Sequence, residues 1–482
     1  MSESSHFDIL VIGSGPAGQK SAIQGAKAGR RVAIVEREQG VGGACVYRGT
    51  IPSKTLRESA VQLARMKRSA DVFQWQLPPG AEVAHLMTRL DQVIGSHGTF
   101  MTDQLKRNGV TCIHGRARFR TDHDVEVVGP NGTLKSFRAD LIVIATGSRP
   151  RTPGNIPVDH EHILDSDSIL SMVYLPESLA ILGGGIIATE YASIFAHLGV
   201  AVIMIDKTDR PLKFMDPEIV TNFVQSLEHH GGRYCGLRNI KDVKWDGLSK
   251  VVTTLDDGSV IKSDKMLVAL GRTANLEGLD VEAAGLVPTD KGLIAVDAYG
   301  RTGVPHIYAV GDMIGPPALA SCAMEQGRRA ICHALGLDPG SSADLIPMGI
   351  YTIPEIASVG LSEDEAVARG AKVIVGRAAF DEVARGQISG VHDGLLKMVA
   401  DARGERLLGV QIVGEGATEL IHVGQMALLA NCHIDAFVEN TFNFPTLAEA
   451  YRVAGLSIVA QRKHWRTSQR CSSQPAVAAQ AG

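Results

Sequence analysis

The sequence is poor in aromatic residues, at 5%, and it lacks a charge bias. Lys+Arg number 48 against 52 Asp+Glu, a net charge of -4, which leaves no electrostatic footprint for nucleic acid or an anionic membrane. No run approaches the about 20 apolar residues that cross a bilayer. Residues 1–6 (MSESSH) have no basic region and the apolar run Phe7–Ile12 stops at Gly13, so no secretory signal is expected. Cysteines are few, seven in all, odd in number and scattered. That excludes a disulfide framework and points to a reducing compartment, the cytoplasm. No metal site is expected.

Glycine is plentiful, with 52 residues, which with few aromatics suits an α/β protein of many strand-to-helix turns. The length of 482 residues exceeds one core and implies about three or four domains. The opening FDILVI reads as a buried strand that runs into GSGPAG, with Gly13, Gly15 and Gly18 at G-x-G-x-x-G spacing. A helix to about Gly29 and the strand RVAIVE, ending in Glu36, complete a βαβ unit. Each part suits a dinucleotide: Gly13 for the tight turn, Gly15 for close approach of a pyrophosphate, Gly18 for helix packing, and Glu36 as acceptor for ribose hydroxyls. The stretch 179–206 repeats the design, with Gly183, Gly185, Ala188 and, at the second strand's tip, Asp206. Two dinucleotide sites at domain spacing are the simplest account.

Between these units the pattern predicts a long helical pair over 54–108, short strands, and a buried strand ending at Ala145, Thr146 and Gly147, a turn that can close over a nucleotide. Further on, Gly311 and Asp312 mark a strand tip where open α/β sheets bind ligands, and Asp312 can hold a polyol hydroxyl. After Pro347 the texture becomes antiparallel and carries no nucleotide fingerprint, which reads as an interface domain. Beyond Arg462 a frayed tail is expected.

With these pieces the sequence resembles the FAD-dependent pyridine nucleotide-disulfide oxidoreductase family over almost its whole length. The resemblance rests on the paired fingerprints, GGACVYRGTIPSK (42–54), Ala145-Thr146-Gly147, Gly271-Arg272 with Asn275, and Tyr308 to Asp312. It implies two Rossmann-like domains, for FAD and NAD(P), and a C-terminal α+β dimerisation domain. The expected division is 1–150 and 276–346 for FAD, 151–275 for NAD(P), 347–462 for dimerisation and 463–482 as tail. It assigns Gly13, Gly15, Gly18, Glu36, Thr146, Gly147 and Asp312 to FAD, and Gly183, Gly185, Ala188 and Gly271 to nucleotide binding. It also pairs Lys54 with Glu190 beside the flavin N5, where a cation stabilises charge on the reduced ring. Read singly, Lys54 is equally a solvated helix-start lysine and Glu190 a surface acid.

The sequence departs from the dithiol members of the family. Cys45 supplies the first thiol of C-x-x-x-x-C, but Thr50 stands at the second position, and a hydroxyl cannot close a disulfide. In NFPTLAEA, Phe444 replaces the histidine of the C-terminal signature, while Glu449 is retained and makes a capping box with Thr446. A subgroup that shares these features, with the S-D-S-I-L run Ser166–Leu170, is the Si-specific transhydrogenases. The resemblance implies reversible hydride transfer between NADPH and NAD+ through FAD, in a homodimer or larger homo-oligomer. Asp206 suits NAD, and Lys207 and Arg210 can offer charge to the NADP 2′-phosphate. Cys45 is either a small residue under the flavin or a thiolate, its pKa lowered by Lys54 and a helix start. A diaphorase acting on quinones and a non-catalytic FAD sensor use many of the same residues.

Overall fold

The computed structural model describes residues 5–73, 81–340, 345–391 and 393–472. By packing, the chain divides into two units. The first comprises residues 1–176, 242–251 and 265–342, and the second 177–241, 252–264 and 343–482.

In the first unit the opening run becomes β1 (Ser5–Ile12), followed by α1 (Pro16–Lys27) and β2 (Val32–Glu36). Pro16 takes the helix's first position, where its fixed φ and missing N–H cost nothing. Next come the short α2 (Gly43–Tyr47) and two long helices in contact, α3 (Thr50–Phe73) and α4 (Ala81–Arg107). The strands β3 (Thr111–His114), β4 (Arg116–Phe119), β5 (Asp124–Val128) and β6 (Leu134–Ile144) complete a sheet of order β3-β2-β1-β6-β5-β4.

β6 is the pivot of this sheet. Its first half pairs antiparallel with β5, Arg138 opposite Asp124, and its last residues pair parallel with the strand Ile307–Ala309, Ile144 opposite Ala309. Both faces of the sheet are covered. Leu10 and Ile12 of β1 enter one apolar cluster with Phe119, Ile142 and Met313, while Ile9 and Val11 enter another with Ile23, Val143 and Ile331. Alternation with period two thus feeds two cores, as expected of a parallel sheet with helices on its faces. The helix Ala320–Ala334 lies against α1, close enough for Ser21 Oγ to donate to Gly327 O at 3.2 Å. Two further strands are β7 (Ser148–Pro150), antiparallel to Arg272–Ala274, and β8 (Ile163–Asp165), parallel to Lys265–Val268.

In the second unit β9 (Ser178–Leu182), α5 (Ile186–His197), β10 (Ala201–Ile205), α6 (Pro217–His229) and β11 (Gly232–Cys235) repeat the parallel strand–helix alternation. The C-terminal part is an antiparallel sheet ordered Met348–Ile350, Ile356–Gly360, Leu407–Val413, Leu395–Asp401 and Val373–Ala379. The helices Ala417–Leu429 and Glu449–Ser472 pack on it, and Tyr451, fully buried, donates to Leu420 O at 2.8 Å. The final helix runs ten residues past the expected tail boundary, and 473–482 lie outside the described residues. Among the described residues no helix is long and apolar enough to cross a membrane.

Candidate functional site

The first glycine unit forms a bare backbone ledge at the C-terminal ends of β1 and β6. Gly13 has φ 101°, and a Cβ there would run into the carbonyl of Ala145. A Cβ on Gly18 would strike the carbonyl of Gly13. Gly15 differs: it starts α1 with φ -65°, and a Cβ would meet nothing within 4 Å. The space over Gly15, at the positive end of a helix, is therefore open to a phosphate, as FAD requires. Glu36, at the tip of β2, accepts from Ser14 N at 3.0 Å, Ser14 Oγ at 2.5 Å and Glu38 N at 2.9 Å. Much of its acceptor capacity is thus used within the protein. Ser14, fully buried, also accepts from Gly42 N at 3.0 Å and so ties the ledge to the thiol-bearing stretch. Sequence reasoning passed over it as the variable position of the fingerprint.

That stretch brings Cys45, Thr50 and Lys54 together. Burial pushes the Cys45 thiol up, against the pull of a hydrogen bond with Thr50 and the charge of Lys54, and Asp312 raises it further. Burial thus works against the thiolate alternative, since desolvation outweighs the cation. Cys45 is free, as are Cys112, Cys235, Cys322, Cys332 and Cys432. Lys54, in the first turns of α3, is half-buried rather than fully solvated.

Asp312 follows Gly311, whose N–H donates to Gln326 Oε1 at 2.9 Å. One carboxylate oxygen accepts from Ser148 Oγ at 2.6 Å, and among the described residues no donor reaches the other. Ser148 in turn accepts from Arg272 Nε at 2.7 Å, and Arg272 also donates to Ser148 O at 2.8 Å. Asn275 holds the preceding turn through Nδ2 to Thr146 O (3.0 Å) and its own N–H to Gly147 O (2.9 Å). The Gly271-Arg272…Asn275 motif is therefore the clamp of the Thr146–Gly147 turn, a role invisible in the motif itself.

In the second unit Gly183 has φ 115° and Gly185 starts α5, again with nothing within 4 Å of a Cβ, while Ala188 is fully buried. Asp206 Oδ2 accepts from Thr208 N at 3.2 Å, from Thr208 Oγ1, and from Tyr234 OH at 3.4 Å. Burial pushes Tyr234 up to about 12, so its hydroxyl stays a donor in neutral solution. Among the described residues Asp206 Oδ1 receives no donor, and Lys207 beside it is exposed. Arg210 is engaged, donating to Lys213 O at 3.1 Å. Glu190 is 4% exposed and accepts from Tyr351 N at 2.9 Å, which overturns its reading as a surface acid. Lys54 belongs to the first unit and Glu190 to the second.

The pyridine nucleotide-disulphide oxidoreductase model matches residues 7–327, and its dimerisation-domain model matches 346–454. This chain belongs to that family. Soluble pyridine nucleotide transhydrogenases from Mycobacterium bovis and Vibrio atlanticus are each 41% identical to it, over 94% and 95% of this chain and 97% and 99% of theirs. Among solved structures, LpdA from Mycobacterium tuberculosis superposes with a TM-score of 0.85 at 26% identity, over 94% of this chain and 99% of that one. The HOCl-induced flavoprotein disulfide reductase RclA from Escherichia coli gives 0.85 at 25%, over 93% and 99%.

At the position of the family's C-terminal histidine, Phe444 is 70% exposed. The expected Thr446–Glu449 capping box is half-formed. Glu449 Oε2 accepts from Thr446 N at 3.2 Å, but the Thr446 hydroxyl turns to Asn443 O at 2.8 Å.

Proposed function

We propose that the chain is an FAD-dependent, Si-specific NAD(P)+ transhydrogenase that interconverts NADPH + NAD+ and NADP+ + NADH. The observation that carries this reading is 41% identity, over nearly the full length of both chains, to relatives named soluble pyridine nucleotide transhydrogenase. The hydroxyl of Thr50 beside the Cys45 thiol supports the absence of a dithiol relay. When bound, FAD supplies a two-electron carrier that takes a hydride from one nicotinamide and returns it to another.

The residues of the chain divide that work. The open backbone at Gly15 takes the pyrophosphate, with Gly13 and Gly18 shaping the turn, and the open oxygen of Asp312 holds a hydroxyl. Lys54 supplies a cation that would stabilise the negative charge a flavin gathers on reduction. In the second unit Gly183, Gly185 and Ala188 seat one accommodating nucleotide site. There Asp206 Oδ1 accepts a ribose 2′-hydroxyl and Lys207 faces a 2′-phosphate. We assign 151–275 to NAD(P) binding, 1–150 and 276–346 to FAD binding and 347–462 to dimerisation, in a cytoplasmic homodimer.

The test is anaerobic titration of the purified protein with NADPH and then NAD+. The flavin band bleaches with the first and returns with the second. A flavin that NADPH leaves unbleached, or turnover with a quinone far above that with NAD+, would overturn the assignment.

A further inference from the structure

The run Ser166–Leu170 carries a carboxylate with no assigned task. Asp167 occupies the position before the short helix Ser168–Ser171, where an aspartate ordinarily caps the first N–H groups, yet its side chain makes no such bond. Asp165, at the tip of β8, does that work instead. Its Oδ1 accepts from Asp167 N at 3.0 Å, Ser168 N at 2.8 Å and Ser168 Oγ at 2.9 Å. Asp167 is thereby released from capping, and its Oδ1 is buried with no hydrogen-bond partner among the described residues. An unmet buried acceptor costs on the order of 1–3 kcal/mol, and more for a charged group. Such a cost points to a donor that arrives from outside the chain.

The surroundings say which donor. Asp167 lies in the field of Arg272, of Arg48 and of Asp165, and Ser166 bonds its carboxyl. Arg272 is the clamp on Ser148, which bonds Asp312, and Arg48 sits between Cys45 and Lys54. The charges of two segments of the flavin site, at Arg272 and at Arg48, therefore act on this carboxylate. A phosphate, being an acceptor only, cannot satisfy a carboxylate oxygen. An added cation would compete with two arginines already present. A neutral hydroxyl is the donor that fits, and the polyol chain of a flavin nucleotide is rich in them.

We propose that Asp167 is a cofactor-binding residue whose Oδ1 accepts a hydrogen bond from one ribityl hydroxyl of FAD. This rests on the reading of the first glycine unit as the FAD site. The full-length chain, stripped of flavin, is reloaded with FAD and with analogues that each lack one ribityl hydroxyl, and affinity is read from flavin fluorescence. In the wild type one analogue binds about tenfold or more weakly, as a lost hydrogen bond to a charged group implies. In Asp167→Ala that penalty vanishes, FAD itself having weakened by a similar factor, while Asp167→Asn, which keeps an acceptor oxygen, retains most of the affinity. Equal affinity of the wild type for FAD and every analogue would overturn the proposal, whether or not the variants fold. A penalty unchanged in Asp167→Ala would also overturn it, leaving a trapped water as the partner of Oδ1. A chain that binds no FAD at all would overturn the underlying site reading too, so the two failures are distinguishable.

Discussion

At the residue scale the site is decided by what surrounds a few atoms. The Cys45 thiol shows this most plainly, because burial defeats both the Thr50 hydroxyl and the Lys54 charge. Its raised pKa means that the neutral form persists above the pH at which a free cysteine ionises. Alkylation by iodoacetamide should therefore rise with pH at a higher midpoint than for a free thiol, which mass spectrometry across a pH series can follow. Cys45→Ser should keep transhydrogenation within about threefold of wild type in a steady-state assay, since hydride transfer needs no sulfur. At Gly15 a Cβ meets no protein atom within 4 Å, and φ is -65°, a value any residue adopts. Gly15→Val should yield a colourless protein whose thermal stability matches that of flavin-stripped wild type. A yellow, flavin-saturated variant would show that the ledge is not the pyrophosphate seat. The glycine spacing and Glu36 could be read directly, because local geometry imposes them. Ser14 and Asp167 could not, since a serine or aspartate gains meaning only from what lies across the fold.

At the scale of elements, the second unit is fastened by a buried charge cluster. Lys397, 3% exposed, lies 2.9 Å from Asp216, 3.0 Å from Glu218 and 2.8 Å from Glu363, and Arg377 donates to Glu218 at 2.7 Å. Asp216 is also the cap of α6, accepting from Glu218 N at 2.9 Å. The cluster therefore joins the start of that helix to the antiparallel sheet. Burial pulls the Lys397 ammonium down, but the three carboxylates hold it above the ordinary lysine range. Lys397→Met leaves Asp216 buried and unpaired, and should lower unfolding free energy by about 3–5 kcal/mol in a urea titration. Arg377 holds the Glu218 carboxyl below its usual range. Its share of the stability is complete above the ordinary glutamate pKa and is lost as pH falls through the depressed one. None of this was legible in the sequence, where Lys397 stands far from Asp216. The strands and helices themselves were legible, because their apolar periodicity is local.

At the scale of the whole molecule, the helix Ala417–Leu429 presents Val423, Met426 and Leu429, 37%, 56% and 54% exposed, at a spacing that puts them on one face. The matched dimerisation domain includes this helix. For the homodimer proposed, Met426→Asp should shift the protein toward monomer at micromolar concentration in sedimentation velocity. An unchanged sedimentation coefficient would place the interface elsewhere. The two-unit division was only partly legible, since strand runs announce where an element lies and not which neighbour it chooses.

The shared edge of β6 has a consequence for the order in which the molecule is made. Its last residues wait for Ile307–Ala309, and Asp312 comes directly after that strand. A nascent chain that has emerged only as far as residue 176 already carries the glycine ledge, but not the acid or the arginine clamp opposite it. The residues of the first glycine unit's site are therefore complete only late in biosynthesis, and the second glycine unit leaves the ribosome before the first is whole.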